Sequence, residues 1–460
     1  MAHHASRPVV SGRSPSTAAV LSFLWPGLGH AYAGRTRPAI LFAVPVLVVF
    51  LIGVIQVLGG IGQLAALLLS PTSAFMIFVL ICLLAVWRVL SMVDAMTGIG
   101  SQLQRRRAFR VLALLTIVVI VTHTWLAMVA WASYDASSKI FLSDQAKQTN
   151  TVDEPTDPGG SPTPSQYGSK PFATPAAADA RINFLITGID SAEEREQALT
   201  DTIMVVSVDP TTRDIAMISF PRDISNFPLY NGDIYPNKIN SFTTWVRNHP
   251  QDFPDGPMPS LARELGYLLG APIHYYVAID LLGFRRMIDT VGGVTIDNPK
   301  ALNDPLYDWL DGTMGFRLSA GVHTLDGRRA LAYVRSRQGA GDNDFNRARR
   351  QQQVLLALRE KLTSPAMLPN LPSIIQVAGE TVKTNYPTDE IEDMVKLAAA
   401  PPGAVLQVVL GPTKYATHPP NSETKGVYTL KLKLDVLAKL SIQIFGAASA
   451  YARGEGPIEP

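Results

Sequence analysis

Apolar residues crowd the first third of the chain in blocks. Residues 38–58, 71–87 and 111–132 each approach the roughly 17–25 apolar residues that cross a bilayer as a helix, so three spans are predicted. Residues 17–33 are also apolar, but they are short and interrupted by Pro26, Gly27 and Gly29. That segment would span, re-enter or lie at the interface, which makes 17–133 an all-α transmembrane region of three or four helices behind a disordered tail, 1–16. The apolar segments repeat without a small-residue cleavage site between them, so the N-terminus does not read as a cleavable signal.

The pattern then changes twice. Residues 134–178 turn to Pro, Ser, Thr, Asp and Gly, as in Asp153-Glu154-Pro155-Thr156-Asp157-Pro158, too little apolar surface to offset chain entropy, so a flexible linker is predicted. Residues 179–447 read as one α/β domain, a sheet flanked by helices. Short β-rich runs cover Arg181–Thr187, Thr202–Val208 and Asp214–Phe220, the last two joined by the turn Asp209-Pro210-Thr211-Thr212 into a hairpin. Helical periodicity marks 259–269, 281–291, 345–362 and 389–399, with strands at 273–278 and 405–410. Residues 448–460 read as a disordered tail.

Composition supports a chain partly in lipid: 47% of its 460 residues are hydrophobic and mean hydropathy is +0.14. A formal net charge of +2 gives no global field toward nucleic acid. Local charge sets orientation instead, because Lys and Arg beside spans stay cytoplasmic. Arg88, Arg105, Arg106, Arg107 and Arg110 lie between the last two spans, and Arg35 and Arg37 precede residue 38. These loops read as cytoplasmic, which puts the chain after residue 132 outside the cell. Arg7 and Arg13 argue against translocating the tail. The single cysteine, Cys82, rules out an intramolecular disulfide.

One cluster carries candidate chemistry. The stretch 328–350 holds Arg328, Arg329, Arg335, Arg337, Arg347, Arg349 and Arg350 against two acids, Asp342 and Asp344. Guanidinium forks stay charged and match phosphate oxygens. If the backbone is extended there, Arg335 and Arg337 share one side. Arg347 and Gln351 sit a turn apart near the start of a helix with Ala348, Leu355, Leu358 and Leu362 inward, capped by Asp342, Asn343 or Asp344. These four groups would converge on one phosphate; singly, each arginine reads better as a solvated surface residue or salt-bridge partner.

Asp190 follows a strand and Asp201 opens the next. Paired at a sheet rim they would hold Mg2+ or another divalent cation through oxygen; singly each is an ordinary loop aspartate. In Ser219-Phe220-Pro221-Arg222-Asp223, Pro221 ends the strand, so Arg222 projects at its end and Asp223 can orient a guanidinium. Lys238 and Asn240 add a cation and an amide. His274 reads as a core residue, and no zinc spacing, Walker loop or serine elbow is present.

In order along the chain, Phe184-Leu185-Ile186-Thr187-Gly188-Ile189-Asp190, Asp201-Thr202-Ile203-Met204, Ser219 to Asp223, Lys238-Ile239-Asn240, Gly292-Gly293-Val294, Leu325-Asp326-Gly327, Ala330 to Arg337 and Asp344-Phe345-Asn346-Arg347 with Arg350-Gln351 resemble the LytR-CpsA-Psr family of cell-wall phosphotransferases. The resemblance covers 179–447. It implies an α/β domain with an apolar pocket for a polyprenyl chain, and Mg2+ held by Asp190 and Asp201. It also implies that Arg222, Arg335, Arg337 and Arg347, with Gln351 nearby, grip a lipid-linked pyrophosphate. On the same basis Asp223 joins the catalytic set, and Lys238, Asn240 and Arg350 the substrate-binding set. The implied reaction joins a polyprenyl-pyrophosphate-linked glycopolymer to a peptidoglycan sugar hydroxyl. Two departures stand out: Leu199 occupies a position that is arginine in many relatives, with Arg195 a candidate substitute, and Asn346 replaces a common glycine.

Two further readings stay open on the residues: a polyprenyl-pyrophosphate hydrolase using water as acceptor, and a non-catalytic lipid-pyrophosphate receptor or regulator. A role on DNA fits poorly with a domain outside the membrane.

Overall fold

The computed structural model describes residues 13–58, 67–141, 181–189, 200–309, 311–387, 390–424 and 426–457. The chain divides into two compact units, Met1–Ser138 with Thr388–Val395, and Lys139–Pro387 with Lys396–Pro460.

The first unit is helical. Helices α1 (Pro15–Leu24), α2 (Leu28–Tyr32), α3 (Thr36–Leu58), α4 (Pro71–Thr97) and α5 (Gln102–Ile140) follow in order. Three of them are long and apolar enough to cross a membrane: 36–56, 71–97 and 102–140. The region 17–33 is not one membrane-length helix. Trp25 leaves the helix in an extended conformation, Gly27 turns at φ +100°, and the two pieces have ten and five residues, far short of the roughly 20 a bilayer needs. The pieces pack tightly where Gly29 meets Ala18 and Ser22. His30 is fully buried; its Nε2 lies 2.9 Å from Asp94 Oδ2, which Arg35 also approaches at 2.9 Å. Helix α5 continues to Ile140, so the start of the predicted linker is helical. The rest of that linker, 142–178, and residues 1–12 of the predicted tail lie outside the described residues.

The second unit is a mixed α/β domain. Strands β1 (Ile182–Ile189), β2 (Thr200–Val208), β3 (Ile215–Ser219), β4 (Tyr275–Asp280), β9 (Val382–Thr384) and β10 (Val405–Val409) form a six-stranded sheet in the order β9-β4-β1-β2-β3-β10. Pairings β1–β2, β2–β3 and β4–β9 are antiparallel, and β1–β4 and β3–β10 are parallel. The predicted hairpin is β2–β3. Between β4 and β9 come β5 (Val294–Asn298), β6 (Leu302–Asp308), β7 (Met314–Leu318) and β8 (Gly321–Leu325), which pair as β5–β8 and β6–β7. These two ribbons were not predicted.

Helices α6 (Pro257–Leu269), α7 (Leu281–Thr290), α8 (Gly327–Arg335), α9 (Asp344–Leu362), α10 (Leu371–Thr381) and α11 (Leu434–Phe445) flank the strands. One core joins β1–β3 and β10 to α6 and α11, including Leu185, Val205, Ile218, Leu265 and Leu437; a second lies among α7, α8, α9 and the β5–β8 ribbons, including Ile288, Val294, Phe316 and Tyr333. Helix α9 buries Ala348, Val354 and Leu358, whereas Leu362, predicted inward, is 40% exposed. Gln352 is fully buried and donates from Nε2 to Met217 O, Ser219 Oγ and Val408 O at 2.9–3.2 Å, pinning α9 onto β3 and β10. His274 is buried as predicted. Its Nδ1 accepts the Asn183 N–H at 3.0 Å, and burial lowers its pKa to about 4.

The chain after 447 is not a loose tail. Tyr451 donates its hydroxyl to Leu268 O at 2.7 Å, and Ser449 is fully buried against Ser441 at 2.7 Å. Gly270, at φ +66°, leaves the space that the Tyr451 ring fills. Residues 458–460 lie outside the described residues.

Candidate functional site

The site lies at one end of the central strands. Pro221 follows β3 and removes a ladder donor, so Arg222 and Asp223 leave the sheet there. Helix α8 delivers Arg335 as its last residue, so Arg335 and Arg337 do not sit on one extended stretch; a helix end and a turn present them instead. Helix α9 starts at Asp344, capped by Asn343, whose side chain accepts the Phe345 and Asn346 N–H groups.

Four of the expected residues, Arg335, Arg337, Arg347 and Gln351, line one cleft of about 170 Å³. The rest of its wall is mainly apolar and includes Ile186, Met204, Ile279, Phe284 and Leu355. An apolar cavity of about 150 Å³ in a soluble protein stays dry and takes up small hydrocarbons, so this cleft has room for part of a hydrocarbon chain. Its mouth is polar.

Asp344 organises the arginines. Its carboxylate accepts from Arg222 Nε at 3.1 Å and lies 3.7 Å from Arg337 Nη1 and 3.5 Å from Arg347 Nη1. One carboxylate thus gathers three guanidiniums from three separate stretches of chain. Beside it Lys238 Nζ donates to the buried Asp223 carboxylate at 2.5 Å, and Arg222 Nε lies 3.9 Å from the other Asp223 oxygen. The half-buried Asn240 donates its backbone N–H to Arg222 O at 3.5 Å. Four cations, Arg222, Lys238, Arg337 and Arg347, therefore meet two carboxylates, and Arg335 lines the same cleft, a local excess of positive charge suited to phosphate. Tyr428 stands nearby: burial raises its hydroxyl pKa first, and the charges of Asp223 and Asp344 raise it further.

Asp304 was not singled out by the sequence and holds this loop in place. Its buried Oδ2 accepts from Ser336 Oγ at 2.6 Å, Arg337 N at 3.0 Å and Gln338 N at 3.1 Å, while Oδ1 accepts from Leu306 N at 3.2 Å. Asp344 was visible as a candidate cap and as the start of the matching Asp344-Phe345-Asn346-Arg347 stretch, not as the carboxylate that gathers the arginines. Tyr428 carried no sequence signal.

Arg350 does not face the cleft. Its guanidinium forks onto Asp342 at 2.9 and 3.0 Å, and donates from Nε to Tyr333 O at 2.8 Å and from Nη2 to Ser336 O. With those donors engaged inside the protein, it staples α8 to α9 and is not part of the lining of the cleft. Gln351 lines the cleft and donates to Val334 O at 3.2 Å. Asp190, Arg195 and Leu199 lie outside the described residues. The backbone of Asp201 falls in β2 at the register shift beside the Gly188–Thr202 pair. Both members of that pair line the cleft. Among the described residues no group of three or more His, Cys, Asp or Glu is placed to hold a metal ion.

Fold and site together define a mixed α/β domain with an amphiphilic cleft, on a chain that also carries three membrane-length helices. The LytR_cpsA_psr family model matches residues 140–431, more than half of the chain, and the chain belongs to that family. A family of unknown function (DUF6677) matches residues 17–151. Among similar proteins, the polyisoprenyl-teichoic acid–peptidoglycan teichoic acid transferase TagU of Oceanobacillus iheyensis is 29% identical over 217 residues, 46% of this chain and 62% of that protein. The regulatory protein MsrR of Staphylococcus aureus is 32% identical over 223 residues, 48% of this chain and 61% of that protein. The chain thus spans less than two thirds of the length of these curated relatives. The crystal structure of B. subtilis TagV aligns at 24% identity and a TM-score of 0.46, covering 58% of this chain and 96% of that one.

Proposed function

We propose that the second unit is a phosphotransferase that moves a glycan phosphate from a polyprenyl pyrophosphate carrier to a peptidoglycan sugar hydroxyl. The observation that carries the reading is the union of an apolar cleft with a guanidinium cluster gathered on Asp344. An isoprenoid fits the first and a pyrophosphate the second, and both belong to one donor. Family membership and the transferase name of the TagU relative agree with it.

In the reaction the acceptor oxygen attacks the glycan-linked phosphorus. The bond from that phosphorus to the bridging oxygen breaks, polyprenyl phosphate leaves, and the hydroxyl proton passes to solvent. Such a transfer needs position and charge neutralisation more than a protein nucleophile. Arg335, Arg337 and Arg347 line the cleft and would hold the pyrophosphate oxygens. Arg222 and Lys238, steadied by Asp344 and Asp223, would neutralise charge on the departing phosphate. We assign Mg2+ to Asp190 and Asp201: hard carboxylate oxygens suit it, and Asp201 adjoins the cleft-lining Thr202. When bound, the ion would supply further neutralisation of the phosphates. We place the domain outside the membrane on the arginine distribution around the spans.

The test is turnover by the full chain in nanodiscs, with a polyprenyl-pyrophosphate glycan, Mg2+ and peptidoglycan. Coupled product that falls at least 100-fold in Arg347→Ala and in Asp201→Ala, both still folded, is expected. Free glycan phosphate formed equally with and without peptidoglycan would show a hydrolase, and no turnover with several donors would overturn the proposal.

A further inference from the structure

Helix α9 has a second working face. Arg347, Gln351 and Leu355 turn toward the cleft, whereas Asn346, Arg349, Arg350 and Gln353 line a different cavity, of about 450 Å³. Its other walls are the β5–β6 connection at 297–303, the loop 339–342, and Gln407 on β10. The Arg350–Asp342 pair is part of the wall.

The chemistry of this cavity differs from that of the cleft. Asp342 is neutralised by Arg350. Lys300 and Arg349 have no ion pair among the described residues, and the bond shown for the Arg349 guanidinium is to Asn346 Oδ1 at 2.9 Å. Asp297 is exposed at the rim, so the lining keeps an excess of positive charge. Amides surround these cations. Asn303 accepts Arg317 Nε at 3.1 Å through Oδ1, which leaves its NH2 to donate. Gln353 is fixed at both ends, by Tyr333 Oη at 2.9 Å and Asp297 O at 2.6 Å, and Gln407 is exposed. A nucleobase would need a stacking platform, but the aromatic ring of the lining, Tyr333, is fully buried beneath Arg350. Separated amides and two spread cations match hydroxyls and acetamides carrying an isolated carboxylate.

We propose that this cavity is a subsite for an acidic amino-sugar oligosaccharide. On the transfer reading above, that ligand is the wall acceptor. The cavity and the cleft lie on separate stripes of α9, so a lipid donor in one leaves the other open. A polymer anchored here presents its next sugar toward the arginine cluster around the α9 N-terminus.

The experiment measures equilibrium binding of a soluble disaccharide-peptide of N-acetylglucosamine and N-acetylmuramic acid to the full chain in nanodiscs, with no donor present. The double variant Lys300→Ala/Arg349→Ala is expected to weaken binding at least tenfold, Lys300→Arg to keep it within threefold, and an uncharged N-acetylglucosamine oligomer of equal length to bind the unmodified chain at least tenfold less tightly. In turnover, the double variant should raise the acceptor KM and leave the donor KM unchanged. Equal binding by variant and unmodified chain, equal binding of acidic and uncharged oligomers, or a rise confined to the donor KM would overturn the proposal. Binding that behaves as expected in a chain without turnover would leave the subsite standing and remove the transferase reading, which separates the two failures.

Discussion

Replacing Asp304 by asparagine tests how the arginine loop is held. The native carboxylate is 2% exposed and takes four hydrogen bonds, three of them on Oδ2 from Ser336, Arg337 and Gln338. Asparagine keeps the shape but has one acceptor oxygen, so its NH2 must face donors on one side. Hydrogen bonds to a charged acceptor contribute about 1.5–3 kcal/mol each, and a buried donor left unsatisfied costs about 1–3 kcal/mol. With part of the set re-formed through the remaining oxygen, a loss of about 3 kcal/mol is expected. At roughly 2–4 °C per kcal/mol for a domain of this size, the midpoint of unfolding should fall by about 6–12 °C. Because the same bonds fix the backbone of Arg337, kcat for transfer should drop about 10- to 100-fold at 25 °C, where the variant is still folded. Thermal unfolding followed by tryptophan fluorescence and steady-state transfer kinetics read the two effects. An asparagine variant that loses less than 1 kcal/mol and keeps its kcat would refute the reasoning.

His274 predicts a pH response. Its pKa is lowered to about 4 by burial from an ordinary 6.5, so between those values the unfolded chain takes up a proton that the folded one does not. Stability should therefore fall as pH drops from 6.5 to 4, by up to about 3 kcal/mol, and His274→Gln, which keeps an acceptor for Asn183, should flatten the curve in denaturant titrations at several pH values. Leu355→Trp places a larger ring in the wall of the cleft. It should raise the donor KM at least tenfold for a long-chain polyprenyl donor and much less for one with a short chain; equal effects on both would show that the hydrocarbon does not lie there.

Periodicity read the long elements well because each buries one continuous face. Helix α9 and the β2–β3 hairpin came out nearly at their observed limits, since Ala348 and Leu358 repeat on a helical face and Asp209 to Thr212 make an unambiguous turn. The β5–β8 ribbons escaped, although β5 alternates buried Val294, Ile296 and Asn298 with exposed Thr295 and Asp297, because five residues are too short to outweigh their polar neighbours. The tail from Ser449 was misread for a related reason: its order comes from one ring over Gly270 and a few hydrogen bonds, not from a pattern. Within the site, the arginines were legible as a cluster of charge. Their division was not. Arg347 and Arg350 differ by three positions, yet one lines the cleft and the other is spent on Asp342, and the carboxylates that decide this, Asp342, Asp344 and Asp304, acquire their partners only through tertiary contacts.

The amide of Gln352 constrains what α9 can do. A helix sliding by one residue advances about 1.5 Å and rotates its side chains by about 100°, which would swing Arg347 out of the cleft and bring a neighbour in its place. Three hydrogen bonds to two different strands oppose that slip, so the guanidinium geometry is indexed to the sheet like a key on a shaft, and any motion that opens the cleft must carry sheet and helix together or come from the opposing walls.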